Sequence, residues 1–171
     1  MRVRPTQPDD LDAAAELFAA VAAEGIYIGA EAPVDKSARI ERWLEDLARD
    51  DSFSVVAEVE GRIVGLAGVD GNRVADLGML VARDWRGRGV GTRLLSACIA
   101  WARARGAHKV ALQVWPHNEA ALRLYKAFGF EQEGYLRRHY RRRNGELWDA
   151  VIMGLLLAAE IGERRSHPAR G

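Results

Sequence analysis

The stretch from Asp76 to Leu95, Asp-Leu-Gly-Met-Leu-Val-Ala-Arg-Asp-Trp-Arg-Gly-Arg-Gly-Val-Gly-Thr-Arg-Leu-Leu, constrains the fold more than any other. Leu77 to Val81 is short and apolar, as a buried strand would be. Arg83 to Gly91 is a turn loaded with arginine and glycine. Val90 to Ala104 has helical spacing, with Leu94, Cys98 and Ala102 on one stripe and Leu95 and Ile99 beside it. Strand, glycine turn and helix together have a physical use. Glycine lets the backbone turn its N–H groups toward a ligand. The first turn of a helix adds unpartnered N–H groups and a positive dipole end. The product is an anion cradle suited to a phosphate or pyrophosphate, with Arg86, Arg88 and Arg93 supplying positive charge.

Two familiar phosphate motifs fit poorly. A P-loop needs Lys followed by Ser or Thr after its second glycine, and neither is in place here. A dinucleotide fingerprint needs a third Gly or Ala where Thr92 stands, and the next strand, near Val110 to Val114, ends in Gln113 and Trp115 with no acid for a ribose. The turn instead resembles the acyl-CoA-binding element of the GNAT superfamily of N-acyltransferases, Gln/Arg-x-x-Gly-x-Gly/Ala, present as Arg86-Gly87-Arg88-Gly89-Val90-Gly91.

With 171 residues, 49% hydrophobic and 29% charged, the chain is expected to form one domain over residues 1–160 with a polar tail at 161–171. A net charge of +1 gives no global field for nucleic acid. The single cysteine, Cys98, excludes an internal disulfide and lies on a helix's apolar stripe, where a structural thiol is expected. No apolar run approaches a membrane span, and Met1 to Pro5 lacks a signal-peptide core. The expectation is a cytoplasmic protein with no membrane partner and no metal.

Along the chain, Val3 to Pro5 reads as an edge strand. Asp9 or Asp10 caps a helix to about Glu24, with Leu11, Leu17, Phe18, Val21 and Ala22 inward. The loop Gly25 to Pro33 mixes apolar, aromatic and acidic groups; it either lines a pocket or plugs the core with Ile26 and Ile28. Asp35 or Ser37 caps a second helix to about Arg49, with Ile40, Trp43, Leu44 and Leu47 inward. Phe53 to Val59 and Arg62 to Val69 form a hairpin around Glu60-Gly61, and Asp70-Gly71-Asn72 turns into a strand at Val74 to Val81. After the glycine turn and its helix, Lys109 to Val114 makes a parallel pair with that strand. Asn118 caps a helix from Glu119 to Phe128, closed by Gly129. Phe130 to Tyr140 and Leu147 to Leu157 flank an Asn144-Gly145 turn, and Glu163 to Gly171 is a polar tail.

A second element strengthens the resemblance. Asn118-Glu119-Ala120-Ala121-Leu122-Arg123-Leu124-Tyr125-Lys126-Ala127-Phe128-Gly129-Phe130 is similar to the superfamily's Asn-x-x-Ala-x-x-Leu-Tyr-x-x-x-Gly-Phe. The order β-α-α-β-β-β-α-β-α-β-β matches the GNAT fold from about Val3 to Leu157. The resemblance implies an α/β (α+β) fold: a mixed, mostly antiparallel seven-stranded sheet whose central parallel pair splays for acetyl-CoA, with helices on both faces. It further implies that backbone groups of Leu80, Val81 and Arg83 bind the pantetheine arm, and that N–H groups from Arg88 through Gly89, Val90 and Gly91 to Thr92 hold the pyrophosphate beside Arg86. Asn118 would contact the co-substrate near the thioester unless it is only a helix cap. Tyr125 would be the general acid for the departing thiolate, against the alternative of a core tyrosine. An amine would attack the thioester directly, through a tetrahedral intermediate whose oxyanion an N–H near Leu80 would stabilise.

The attacking amine must be neutral, and an alkylammonium of pKa about 10 is almost wholly protonated at pH 7. Asp76 is the candidate base, its alternative being a solvated strand end. Tyr27 and Glu31, in the Gly25 to Pro33 loop, are candidate substrate contacts; Glu24 lies near. Glu119 and His117 have plainer readings as a helix-end charge and an exposed ring. Arg137 to Arg143 reads as an exposed hairpin arm with some arginines paired to acids, rather than a nucleic-acid surface. The expected function is acetyl transfer to a primary amine of a small molecule such as an amine, amino acid or derivative. A protein N-terminal acetyltransferase of the ribosomal-protein type and a non-catalytic CoA-binding regulator are the alternatives. The superfamily also allows a homodimer through the C-terminal strands.

Overall fold

The computed structural model describes residues 1–157, so the polar tail expected at 161–171 lies outside the described residues. Seven strands form one sheet: β1 (Arg2–Pro5), β2 (Ser52–Val59), β3 (Arg62–Asp70), β4 (Val74–Val81), β5 (Lys109–Val114), β6 (Glu131–Arg141) and β7 (Leu147–Leu156). Their order is β1-β2-β3-β4-β5-β7-β6, and every neighbouring pair is antiparallel except β4 and β5. Helices α1 (Leu11–Glu24) and α2 (Lys36–Leu47) cover one face; α3 (Val90–Ala104) and α4 (Glu119–Ala127) pack on the other.

The larger core lies between the sheet and α3, where Val90, Leu94, Leu95, Cys98, Ile99 and Ala102 form a buried stripe against Val55, Ala57, Leu77, Val110 and Leu112. The smaller lies under α1, where Ala14, Leu17 and Val21 meet Val56, Leu66 and Leu80. Gly65 permits the close approach of α3, since a Cβ there would stand 2.8 Å from Val90 and 2.9 Å from Leu94.

Two local expectations are corrected. Asp10 occupies the cap position of α1 but does not cap it; its carboxylate accepts from Arg4 and from the Gln7 N–H at 2.8 Å, an ion pair that competes successfully for both oxygens. Helix α2, capped by Asp35 on the Ala38 N–H, buries none of its residues fully, and Leu44 is 44% exposed. It is a wall standing over the sheet rather than a core helix, and its inner face looks into a cleft. No helix among the described residues is long and apolar enough to cross a membrane.

Candidate active site

The parallel pair is the origin of the site. β4 and β5 are in register at only three positions, Val74 with Lys109, Ala75 with Val110 and Asp76 with Ala111. Beyond these, β4 stays zipped to β3 as far as Val81, β5 stays zipped to β7 as far as Val114, and the two strands part. The resulting fork opens into a cleft of about 980 Å³.

The register decides which main-chain groups face the fork. The Ala82 N–H donates to the Val64 carbonyl at 2.9 Å, so the Val81–Gly65 pair is a non-hydrogen-bonded rung. Alternation then turns the N–H and C=O of Leu80, Gly78 and Asp76 toward β3, and those of Val81, Met79 and Leu77 toward the fork. The Leu80 main chain, expected at the fork, is thus turned to β3, and Met79 and the expected Val81 are the main-chain groups that face the fork. The Val81 carbonyl already accepts from Arg86 Nε at 3.1 Å.

At the mouth of the fork Gly87 and Gly89 adopt left-handed backbone with φ of 71° and 78°, a conformation that glycine takes without steric cost. They swing the chain into α3 so that the N–H groups of Val90, Gly91 and Thr92 have no main-chain partner among the described residues. Val90 contributes only its N–H, because its side chain is buried in the core. A Cβ on Gly91 would come within 3.1 Å of Leu124, so this glycine also lets α4 close on the helix mouth. The turn has fewer free cations than its composition promises. The Arg86 guanidinium pairs with Glu24 at 2.8 Å and lies 4.0 Å above the Tyr27 ring, and Arg93 reaches the Met1 carbonyl. That pairing holds the Glu24 carboxyl below its ordinary range. Arg88 lies 5.1 Å from the Trp85 ring centroid and makes no ion pair with a described residue.

Tyr125 sits on α4 with its ring 6% exposed and tilted against Phe130. Its hydroxyl makes no hydrogen bond to a described residue, yet no sealed side-chain polar atom is left without a partner, so the hydroxyl meets the cleft that the residue lines. Burial, with a smaller contribution from Cys98, pushes the phenol up to about 12. Cys98 itself is buried and also pushed up to about 12 by desolvation, which leaves it no nucleophilic character. Asn118 lines the cleft while its Oδ1 accepts from the Ala121 N–H at 3.2 Å, so the cap is formed at the cleft's edge.

On the α1–α2 side, Gly68 pairs with Gly78 and leaves the sheet bare between Leu66–Leu80 and Asp70–Asp76. A Cβ on Gly78 would meet nothing within 4 Å. Asp76 stands on this floor, open to water within the cleft, and its carboxyl is raised by desolvation and then by the Asp70 charge opposite. Tyr27, Gln113 and Tyr140 also line the space, and Tyr140 hydrogen-bonds Gln113.

Glu31 is not brought to the cleft. It accepts the Arg143 N–H at 3.1 Å and lies 3.6 Å from Arg142. The arginine arm is exposed as expected, except at Arg142. Arg142 is 4% exposed, with its guanidinium 4.4 Å above Trp148, and it donates to the Gly29 and Gly25 carbonyls; Arg143 donates to Ala32. His117 adds an Nε2 hydrogen bond to the Ile26 carbonyl at 2.7 Å, which occupies that nitrogen. The arm thus braces the Gly25 to Pro33 loop, whose Tyr27, Ile28 and Gly29 line the cleft. Met79, Gln113, Gly78 and Arg142 escaped sequence reasoning because each matters through its strand partner or its long-range contact.

Comparison with known proteins identifies the family and the fold. The model of the acetyltransferase (GNAT) family matches residues 15–130. An uncharacterized N-acetyltransferase of Methanocaldococcus jannaschii is 32% identical over 79% of this chain, which spans 64% of that relative's length. The L-amino acid N-acetyltransferase of Escherichia coli is 35% identical over 65% of this chain and 73% of its own. The crystal structure of a ribosomal-protein-alanine N-acetyltransferase from Brucella melitensis superposes with a TM-score of 0.84 at 30% identity, covering 92% of this chain and all of that one.

Proposed function

The chain belongs to the acetyltransferase (GNAT) family, and from that premise we propose that it transfers acetyl from acetyl-CoA to the primary amine of a small molecule, an amino acid or derivative. The observation that carries this reading is the meeting, in one cleft, of three unpartnered helix N–H groups, an open strand fork and a protonated buried phenol.

Acetyl-CoA supplies the activated acyl group. The Val90, Gly91 and Thr92 N–H groups, with Arg88 beside them, suit its pyrophosphate, and the Met79 and Val81 main chain suits its pantetheine amides. Asp76, facing the acceptor side of the sheet, takes a proton from the incoming ammonium, directly or through water. Desolvation and the Asp70 charge raise its pKa, which makes it a stronger proton acceptor than an ordinary carboxylate. Tyr125 keeps its proton until a sulfur of ordinary thiol pKa, about 8.5, develops charge beside it. Reaction by direct attack needs no covalent enzyme intermediate, consistent with an inert Cys98.

Likeness to the Brucella enzyme supports a second reading, in which the amine is a protein N-terminus. The two are separated by thiol release from acetyl-CoA across free amines, amino acids and short peptides. Tyr125→Phe keeps the ring packing and removes only the hydroxyl. Its expected effect is a kcat loss of about 10²-fold or more with unchanged CoA binding. Unchanged turnover would remove Tyr125 from the reaction.

A further inference from the structure

Among the described residues, one cation of the cleft has no hydrogen-bond acceptor or ion-pair partner within reach. Arg39 projects from α2 on the same face as Trp43, Asp46 and Leu47, and all four line the cleft. Its guanidinium lies 4.3 Å from the Phe18 ring centroid and 5.8 Å from that of Trp43. The other arginine lining the cleft, Arg86, is paired with Glu24. Among the described residues no carbonyl or carboxylate accepts a hydrogen bond from Arg39, although the side chain is half-buried and a guanidinium carries five donors. Burial disfavours its charged form, and Arg42 adds to this. An aromatic bed with free N–H groups at its rim favours an anion that brings its own oxygens.

We propose that Arg39 holds the carboxylate of the acceptor, so that the substrates of this enzyme are amines that also carry a carboxylate, zwitterions of the amino-acid type. The cleft is bipolar, with a guanidinium that no described residue pairs on its α2 wall and Asp70 and Asp76 on its floor. A zwitterion matches both: its anion meets Arg39 and its ammonium is drawn to the floor where the proton is to be lost. A phosphate-like dianion fits less well, because Asp46 already places negative charge near Arg39. The proposal rests on the acetyl-transfer reading and narrows its acceptor.

The test uses matched acceptors, an amino acid, its carboxamide and the amine lacking the carboxyl group, with the wild type, Arg39→Met and Arg39→Lys. The wild type is expected to prefer the carboxylate over the carboxamide by about 10- to 100-fold in kcat/KM, the range of a charge-assisted bidentate pair. Arg39→Met should raise KM for the acid until that preference is gone, and leave KM for the carboxamide and for acetyl-CoA in place. Arg39→Lys should restore part of the preference. Equal losses on acid and carboxamide, or a wild type indifferent to the carboxylate, would overturn the proposal. Calorimetric binding of the same three acceptors, without acetyl-CoA, reads Arg39 independently of turnover. If no amine is acetylated, the acetyl-transfer reading fails; carboxylate-dependent binding abolished by Arg39→Met would still support the site, and binding unaffected by that change would overturn it.

Discussion

Asp70 and Asp76 face each other across a hydrogen-bonded rung of β3 and β4, two carboxylates side by side on one face of the sheet. Like charges directly opposite are unfavourable in a sheet, and desolvation by the cleft walls adds to the cost of ionising Asp76. The sign of the consequence follows from linkage. Asp76 binds its proton more tightly in the folded than in the unfolded chain. Its ionisation therefore subtracts stability above the raised pKa, and the penalty fades as pH falls toward the ordinary value of 3.8. Asp76→Asn should melt higher than the wild type at pH 8, with the difference shrinking toward pH 4, while acetyl transfer falls by about 10²-fold and loses the acid limb belonging to this group. A thermal-melt series over pH, run beside pH–rate profiles, measures both. An unaltered rate with unaltered pH dependence would leave Asp76 as a strand-end carboxylate. Asp76 itself was legible because a lone acid opens an otherwise apolar strand. Asp70 was read only as part of a turn, because its role depends on a register that spacing does not state.

At the scale of elements, periodicity and turn chemistry located the strands and helices well, and the departures have tertiary causes. Helix α2 carries the apolar spacing of a core helix, yet it walls a cleft whose lining also includes the bare Gly68 and Gly78 of the sheet. Leu80, expected with Val81 to face the fork, is turned to β3, and Met79 faces the fork instead, because the direction of a strand's N–H groups depends on which neighbour lies on which side. The loop from Gly25 to Pro33 left two readings open, and it lines the cleft because an outside element holds it there. Arg142 makes that contact from the β6–β7 arm, stacked on Trp148 and against two loop carbonyls. Removing its donors leaves those carbonyls without their partner. Arg142→Met should destabilise the fold by about 2 kcal/mol, roughly 4–8 °C for a chain of this length. The acceptor KM should rise several-fold and the KM for acetyl-CoA much less, because the loop touches the glycine turn only where Tyr27 lies under Arg86. A parallel rise in both KM values would show that the brace stabilises the whole cleft rather than the loop.

For the molecule as a whole, the glycine turn and the Asn118–Phe130 element were the most informative parts of the sequence, since both join strands to helices at one fork. What they could not convey is how little holds the sheet together there. Three rungs, Val74–Lys109, Ala75–Val110 and Asp76–Ala111, join β1–β4 to β5–β7, and α3 bridges the rest by packing. A ligand arm seated along Met79 and Val81 while its diphosphate caps α3 ties these halves through main-chain bonds that the free protein lacks. Free CoA alone should therefore stabilise the protein, with no acceptor present. At a concentration a hundred times its Kd the gain is about 2.7 kcal/mol, or roughly 5–10 °C in Tm. Hydrogen exchange should slow in Leu77–Val81 and at the N-terminus of α3, and much less in β1 and β2. A diphosphate nucleotide lacking the pantetheine arm should protect the helix mouth but not the strand. If CoA raises Tm without slowing exchange on β4, the arm does not lie in the fork, and the chemistry assigned to Tyr125 loses the sulfur it is meant to protonate.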